Sequence, residues 1–265
     1  MTQVCLLAGI ACAIVIAVDL ARHPQRMWIM NVVWPVNALF GTVLTLWLYY
    51  RFGRLASRVV DDRMRGDKGR KTPFPVMVAK GAMHCGAGCT LGDLIAEGLA
   101  LVFPVIAIWA GWKSLFTEKI YAIWVVDFVF AFVIGVAFQY FTIKPMRGLS
   151  PGEGIVQAVK ADTLSLTAWR VGMYGVMAVA QFAIFRHAFG VKLEPVMPEF
   201  WFMMQIAMLA GFATSYPVNW WFIATGVKER MQLRCSLKRV HVATFNLTRR
   251  WKRVGRLIWS TCHEC

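Results

Sequence analysis

Six apolar runs, each near the ~20 residues a helix needs to cross a bilayer and separated by short polar clusters, leave this chain few ways to fold. They cover roughly 3–20, 28–50, 75–110, 119–141, 153–186 and 199–225. In lipid every backbone N–H and C=O must be satisfied within the protein, and a run of this length does so as a helix. The expected fold class is all-α: a polytopic helical membrane protein of about six transmembrane helices. Hydrophobic residues make up 58% of the 265 and charged residues 16%, a balance that excludes an ordinary soluble domain. The third and fifth runs exceed one crossing and are polar in their first halves, so each is expected to tilt, break or shorten. Residues 1–225 read as the transmembrane domain and 226–265 as a basic amphipathic tail.

The run from Val4 to Ala21 lacks a basic stretch before it and a small-residue cleavage site after it, so it reads as a span rather than a secretion signal. Cys5 and Cys12 on it read as packing residues. Charge suggests the orientation. The loop 51–72, the turn Lys144–Arg147 and the tail after Gly226 carry twenty Lys or Arg, against six in the loops at 21–27, 111–119 and 186–199. By the positive-inside rule both termini are cytoplasmic, which an even number of spans satisfies. The net charge of +15 is thus a topology signal, and no nucleic-acid partner is expected.

Within the third run, Gly81 to Asp93 holds a histidine, two thiols, a thioether and a carboxylate among small residues. On a helix Cys85, Cys89 and Asp93 share a stripe, with Glu97 a turn further and His84 beside it. Gly81, Gly88 and Gly92 leave room for a neighbouring helix at backbone distance. Lys80 enters about two turns after Pro73-Phe74-Pro75, which sets His84 and Cys85 near mid-membrane. Ionisable groups there are costly and face a cavity or a partner.

Elsewhere, Pro35 in the second run frees a carbonyl near Asn31 and Asn37, and Asp127 is a lone carboxylate in the fourth. The fifth restarts like the third. Lys160 would sit at the depth of Lys80, eighty residues earlier, with Asp162, Thr163 and Ser165 facing the layer of His84 and Cys85, as in a repeated helix hairpin. Arg170 would need a carboxylate, which Asp93 or Asp127 supplies. The sixth run has Met203, Met204 and Met208, then Pro217 among Thr214, Ser215 and Asn219, read equally as a break or a kink. In the tail, Trp251, Val254 and Ile258 form an apolar stripe among basic residues, suited to an anionic lipid surface. Cys262, His263 and Cys265 at its end suit soft-metal capture.

Six motifs carry a family resemblance: Met83-His-Cys-Gly-Ala-Gly-Cys-x-Leu-Gly-Asp93, Met30-Asn-x-Val-Trp-Pro35, Phe138-Gln-Tyr-Phe141, Met146-Arg-Gly-Leu-Ser-Pro151, Lys160-Ala-Asp-Thr-Leu-Ser165 and Ser215-Tyr-Pro-x-Asn-Trp220. Over roughly 28–230 the chain resembles a family of bacterial integral membrane proteins known only as a domain of unknown function. The resemblance implies a multi-pass protein of the bacterial inner membrane and supplies no activity.

Three functional classes follow. The first is transport or binding of a soft transition metal. Copper as Cu(I) is favoured because thiolates and thioethers select it. Its ligands would be His84, Cys85, Cys89 and Met83, with Lys80, Asp93, Glu97, Asp127, Lys160 and Asp162 as ion pathway or charge balance. The second is a structural or accessory subunit of a larger membrane complex or homo-oligomer. The third is a thiol–disulfide oxidoreductase using Cys85 and Cys89. No Walker loop, dinucleotide fingerprint, His-Glu-x-x-His or Gly-x-Ser-x-Gly is present, so a transport role is expected ahead of an enzymatic one.

Overall fold

The apolar runs become helices almost where the sequence sets them. α1 spans Thr2–Arg22, and α2 spans Met30–Leu48 with a π turn, Tyr49–Gly53, at its end. α3 is Phe74–Val102, followed after Pro104 by a short α4, Val105–Trp109. α5 is Lys119–Arg147, and α6 is Pro151–Ala178 with a π segment, Val179–Ala188. α7 is Pro198–Ala224. The computed structural model describes residues 1–54, 57 and 72–228, which belong to one unit, Met1–Leu233. The basic loop from Arg58 to Lys71 lies outside the described residues. So do the second unit, Arg234–Cys265, the apolar stripe of the tail, and the proposed metal-capturing Cys262, His263 and Cys265.

Local chemistry sets the boundaries. Proline stands at the start of α3, α6 and α7, where its missing N–H costs nothing. Ser150 caps α6 in a reciprocal pair, its Oγ accepting from Glu153 N while the Glu153 carboxylate accepts from Ser150 N at 3.1 Å. Gly148, at φ 66°, ends α5 in the left-handed conformation. Glu118, before α5, accepts from Arg186 at 2.7 Å and from Lys192 at 3.3 Å, and these cations hold its carboxyl below the usual range.

α2 stays helical through Pro35 and bends at Thr42, whose φ is 41°. α7 runs on through Pro217, so of the break and the kink read there no break forms. Thr214 and Ser215 turn their hydroxyls onto the Ala210 and Phe212 carbonyls.

Among the described residues five helices are long and apolar enough to cross a membrane: α1, α2 with its π turn, α3, α5, and α6 with its π segment. The chain is a polytopic helical membrane protein. α7 forms at the expected place, but Gln205, Tyr216, Asn219 and its tryptophans lower its hydropathy below that of the other five. It packs along α6 and α3 instead of standing alone. Apolar side chains such as Leu7, Ile14, Val18, Val125, Val129 and Val171 point outward, as a lipid-facing surface requires.

The strongest pairings are α6 with α7, α3 with α5, and α1 with α2. α3 is central, touching α2, α5, α6 and α7, and every residue from Lys80 to Thr90 is buried. Small residues permit that enclosure. A Cβ on Gly88 would lie 3.0 Å from Gly135 Cα, and one on Gly92 only 2.6 Å from Ala131 N, so α3 and α5 meet backbone to backbone. Gly92→Val is therefore expected to force the pair apart at a cost of about 1–3 kcal/mol, as overpacking does. A thermal melt of the detergent-purified variant checks this, and an unchanged midpoint would contradict the close approach.

Candidate functional site

Two buried polar layers cross the bundle around α3. The first centres on Cys85. Its Sγ donates to Asp162 Oδ1 at 3.3 Å and lies 3.0 Å from Ser165 Oγ, both on α6. Asn219 of α7 donates from Nδ2 to Ser165 Oγ at 2.7 Å and accepts at Oδ1 from Lys228 Nζ at 2.6 Å. The Lys228 ammonium stands 3.7 Å from the Cys85 sulfur, and Gln139 Nε2 of α5 is 4.0 Å from it. Cys85, Asp162, Ser165, Asn219 and Lys228 are each less than 5% exposed. Four helices and the chain just past α7 thus converge on one thiol.

Asp162 fits because Gly135 has no side chain: a Cβ there would sit within 2.5 Å of Asp162 Oδ2, an oxygen without a hydrogen-bond partner. Asn37 of α2 ties the layer to its remaining neighbour, donating to Val33 O at 2.7 Å and to Met83 O at 2.9 Å.

His84 is occupied differently. Its Nδ1 lies 3.0 Å from the Lys80 carbonyl, an acceptor only, so that nitrogen carries the proton. Nε2 then faces the Thr142 hydroxyl at 3.2 Å, which it shares with Phe138 O. Both ring nitrogens are engaged. Met83 packs with Trp34, Ala87 and Phe138 in a separate cluster from that of Cys85, since two residues along a helix turn a side chain by about 200°. The expected quartet of Met83, His84, Cys85 and Cys89 therefore divides. The thiols share one cluster, the thioether lies in another, and the imidazole is held by Lys80 and Thr142. Lys80 Nζ donates to Phe52 O at 3.1 Å, joining α3 to the end of α2. Among the described residues no group of three or more His, Cys, Asp or Glu is arranged to hold a metal ion.

The second layer lies about 12 Å along α3, eight residues at ~1.5 Å each. Arg170 of α6 donates from one terminal nitrogen to Asp93 Oδ1 and from the other to the Asp127 carbonyl at 3.0 Å. Its guanidinium also lies over the Tyr174 ring, 5.1 Å from the centroid, and that ring stacks on Trp124. The carboxylate anticipated for Arg170 is thus Asp93. Asp127 contributes its backbone, while both of its carboxyl oxygens stay without partners. Glu97 is buried one turn beyond Asp93.

Lys160 departs from expectation. It is exposed, and so is Thr163, whose hydroxyl donates to Val159 O, whereas Asp162 and Ser165 face inward. The reason is register. Cys85 meets Asp162 and Asp93 meets Arg170, each pair separated by 77 residues, whereas the lysines are eighty apart. Lys160 stands two residues before the inward-facing Asp162, and two residues turn a helix by about 200°, which carries it off the inner face. Lys228, by contrast, did not stand out in the sequence, because it lies past Gly226 and looks like the first of the tail's basic residues. Its nearness to Asn219 was the available signal.

Both layers fall inside residues 76–228, which a family model matches, from the first turn of α3 to Lys228 itself. The match is shorter than the resemblance over 28–230 and leaves out α1, α2 and the Met30–Pro35 motif. No curated protein and no solved structure matches the chain. With more than half of its length covered, α3 and the Cys85 layer included, the chain belongs to the family described as a domain of unknown function, DUF4396.

Proposed function

We propose that this chain carries a soft monovalent cation, Cu(I) foremost, across the bacterial inner membrane, with Cys85 as a thiolate and Cys89 as a thiol ligand and, counting α7 as a sixth crossing, both termini in the cytoplasm. The observation that carries the reading is the sulfur content of one buried cluster. Cys85 and Cys89 share it with Met173 and Met177 of α6 and Met204 and Met208 of α7, so two thiols and four thioethers belong to one buried cluster. Thiolate and thioether sulfur select Cu(I) over the harder cations that oxygen sites take. The ligand set is narrower than the sequence suggests, since His84 and Met83 lie outside it.

The neighbours of Cys85 fit the required charge change. Binding Cu(I) at a thiol releases its proton. Asp162 Oδ1, which the thiol already faces, accepts it, and the Lys228 ammonium offsets the negative charge of the thiolate. The thiol–disulfide alternative is weaker, because α3 is continuous through Cys85 and Cys89 and cysteines one helical turn apart lie near the upper limit of disulfide reach. An accessory subunit is what a protein without bound metal would leave standing.

The test is Cu(I) content and affinity of the full chain in detergent under reducing conditions, with liposome flux to follow. Wild type is expected to hold the ion stoichiometrically and Cys85→Ser/Cys89→Ser to lose it. Asp162→Asn is expected to weaken binding about 10–100-fold, as the loss of a group supporting a ligand does. A wild-type protein that takes up no Cu(I) would end this reading.

A further inference from the structure

We propose that Asp127 is a proton-binding residue and that the layer it forms with Asp93 and Arg170 exchanges this proton against the transported cation. The second half of this statement rests on the transport reading, but the first does not. Asp127 is 0% exposed, and neither of its carboxyl oxygens has a hydrogen-bond partner. The groups that face it are Asp93 and Glu97 from α3 and Arg170 from α6, with Tyr174 and Cys89 lining the same layer. Arg170 is the one cation among them, and Asp93 already holds its guanidinium. A second ionised carboxylate in this dry setting would have neither water nor a counter-charge, a state that buried groups avoid.

A proton resolves this and a metal ion does not. The guanidinium beside Asp127 repels a second cation, and hard cations need about six or more oxygen ligands, many more than Asp127 and Asp93 provide. With Asp127 and the likewise buried Glu97 both protonated, Asp93 and Arg170 balance. When the proton leaves, as H⁺ and with no change of oxidation state, the layer becomes negative by one charge. The guanidinium already touches the Asp127 carbonyl, so it is placed to be shared with the new carboxylate. A monovalent cation at Cys85 and Cys89 restores neutrality about two turns away along α3. Proton release and cation entry are then linked by charge, which makes the exchange an antiport.

Infrared spectroscopy of the purified full chain in detergent at neutral pH tests the proton site without any metal. Because Glu97 carries a proton as well, the site is read in Glu97→Gln, where the carbonyl stretch of a protonated carboxyl is expected to remain and to be lost on adding Asp127→Asn. Adding Asp93→Asn is also expected to lose it, because Arg170 then draws Asp127 into ionisation. Asp127→Asn replaces a protonated carboxyl with its neutral isostere, so it should fold and melt like wild type. A variant that does not fold would mean that Asp127 is ionised, and would overturn the proposal. Absence of the band in Glu97→Gln, or its persistence in Glu97→Gln/Asp127→Asn, would do the same. A band with no Cu(I) binding would strike the transport reading and leave the proton site. Cu(I) binding with no band would do the reverse.

Discussion

Asp93→Asn/Asp127→Asn is expected to unfold the protein, or to leave it too unstable to purify. Arg170 is 2% exposed and its guanidinium does not deprotonate, so removing both acids strands a permanent charge among α3, α5 and α6. Breaking a buried pair from one side costs about 3–5 kcal/mol, much of the roughly 5–15 kcal/mol that holds a typical protein folded. Either single change should cost much less. With Asp93→Asn the guanidinium falls back on Asp127, whose carbonyl it already contacts, and with Asp127→Asn the Asp93 pair is intact. The acids are thus redundant for stability, and the double variant should lose more than the two singles together. Thermal unfolding of all three in detergent measures this. A double variant as stable as Asp93→Asn alone would show that Asp127 gives Arg170 no support.

Trp169→Ala is expected to cost about 3–5 kcal/mol, the range for emptying a large aromatic site in a core. The indole is fully buried and wedged between two glycines: a Cβ on Gly86 of α3 or on Gly211 of α7 would come within 2.6 Å of it. Its edges meet Phe40 and Phe212, and its N–H donates to Met208 Sδ at 3.4 Å. Without it, α3 and α7 face each other across a void one turn from Ser165, and the Cys85 layer loses its support. Gly211→Ala should destabilise wild type yet cost less in the Trp169→Ala background, where its methyl fills part of the space. A Trp169→Ala melt within about 0.5 kcal/mol of wild type would rule out the wedge.

Much of this arrangement was legible in the chain. Helical spacing put Cys85, Cys89 and Asp93 on one stripe, and the need of a buried guanidinium for an acid led to Asp93 or Asp127, of which the packing uses the carboxylate of Asp93. Residues whose neighbours come from other helices were harder to place. Met83 and Cys85 are adjacent in a motif but enter different clusters, because the motif encodes order while the helix assigns direction. Lys160 was set by a sequence offset of eighty that the packing replaces with 77. Thr142 carries no local signature and Lys228 only its nearness to Asn219, while the site residues they reach, His84 and Cys85, lie 58 and 143 residues away. The kink at Thr42 was unreadable too, since the visible marker, Pro35, stays helical.

The shared offset of 77 has a mechanical side. Cys85–Asp162 and Asp93–Arg170 fasten α3 to α6 like a latch with two bolts, so neither helix can slip past the other without drawing both at once. On the opposite flank Gly88 and Gly92 run against Gly135 and Ala131 with no interleaved side chains, a surface closer to a plain bearing. If the bundle must open to pass an ion, α3 and α6 travel as one piece, and a slide along α5 requires only that His84 leave Thr142 and Arg170 leave the Asp127 carbonyl.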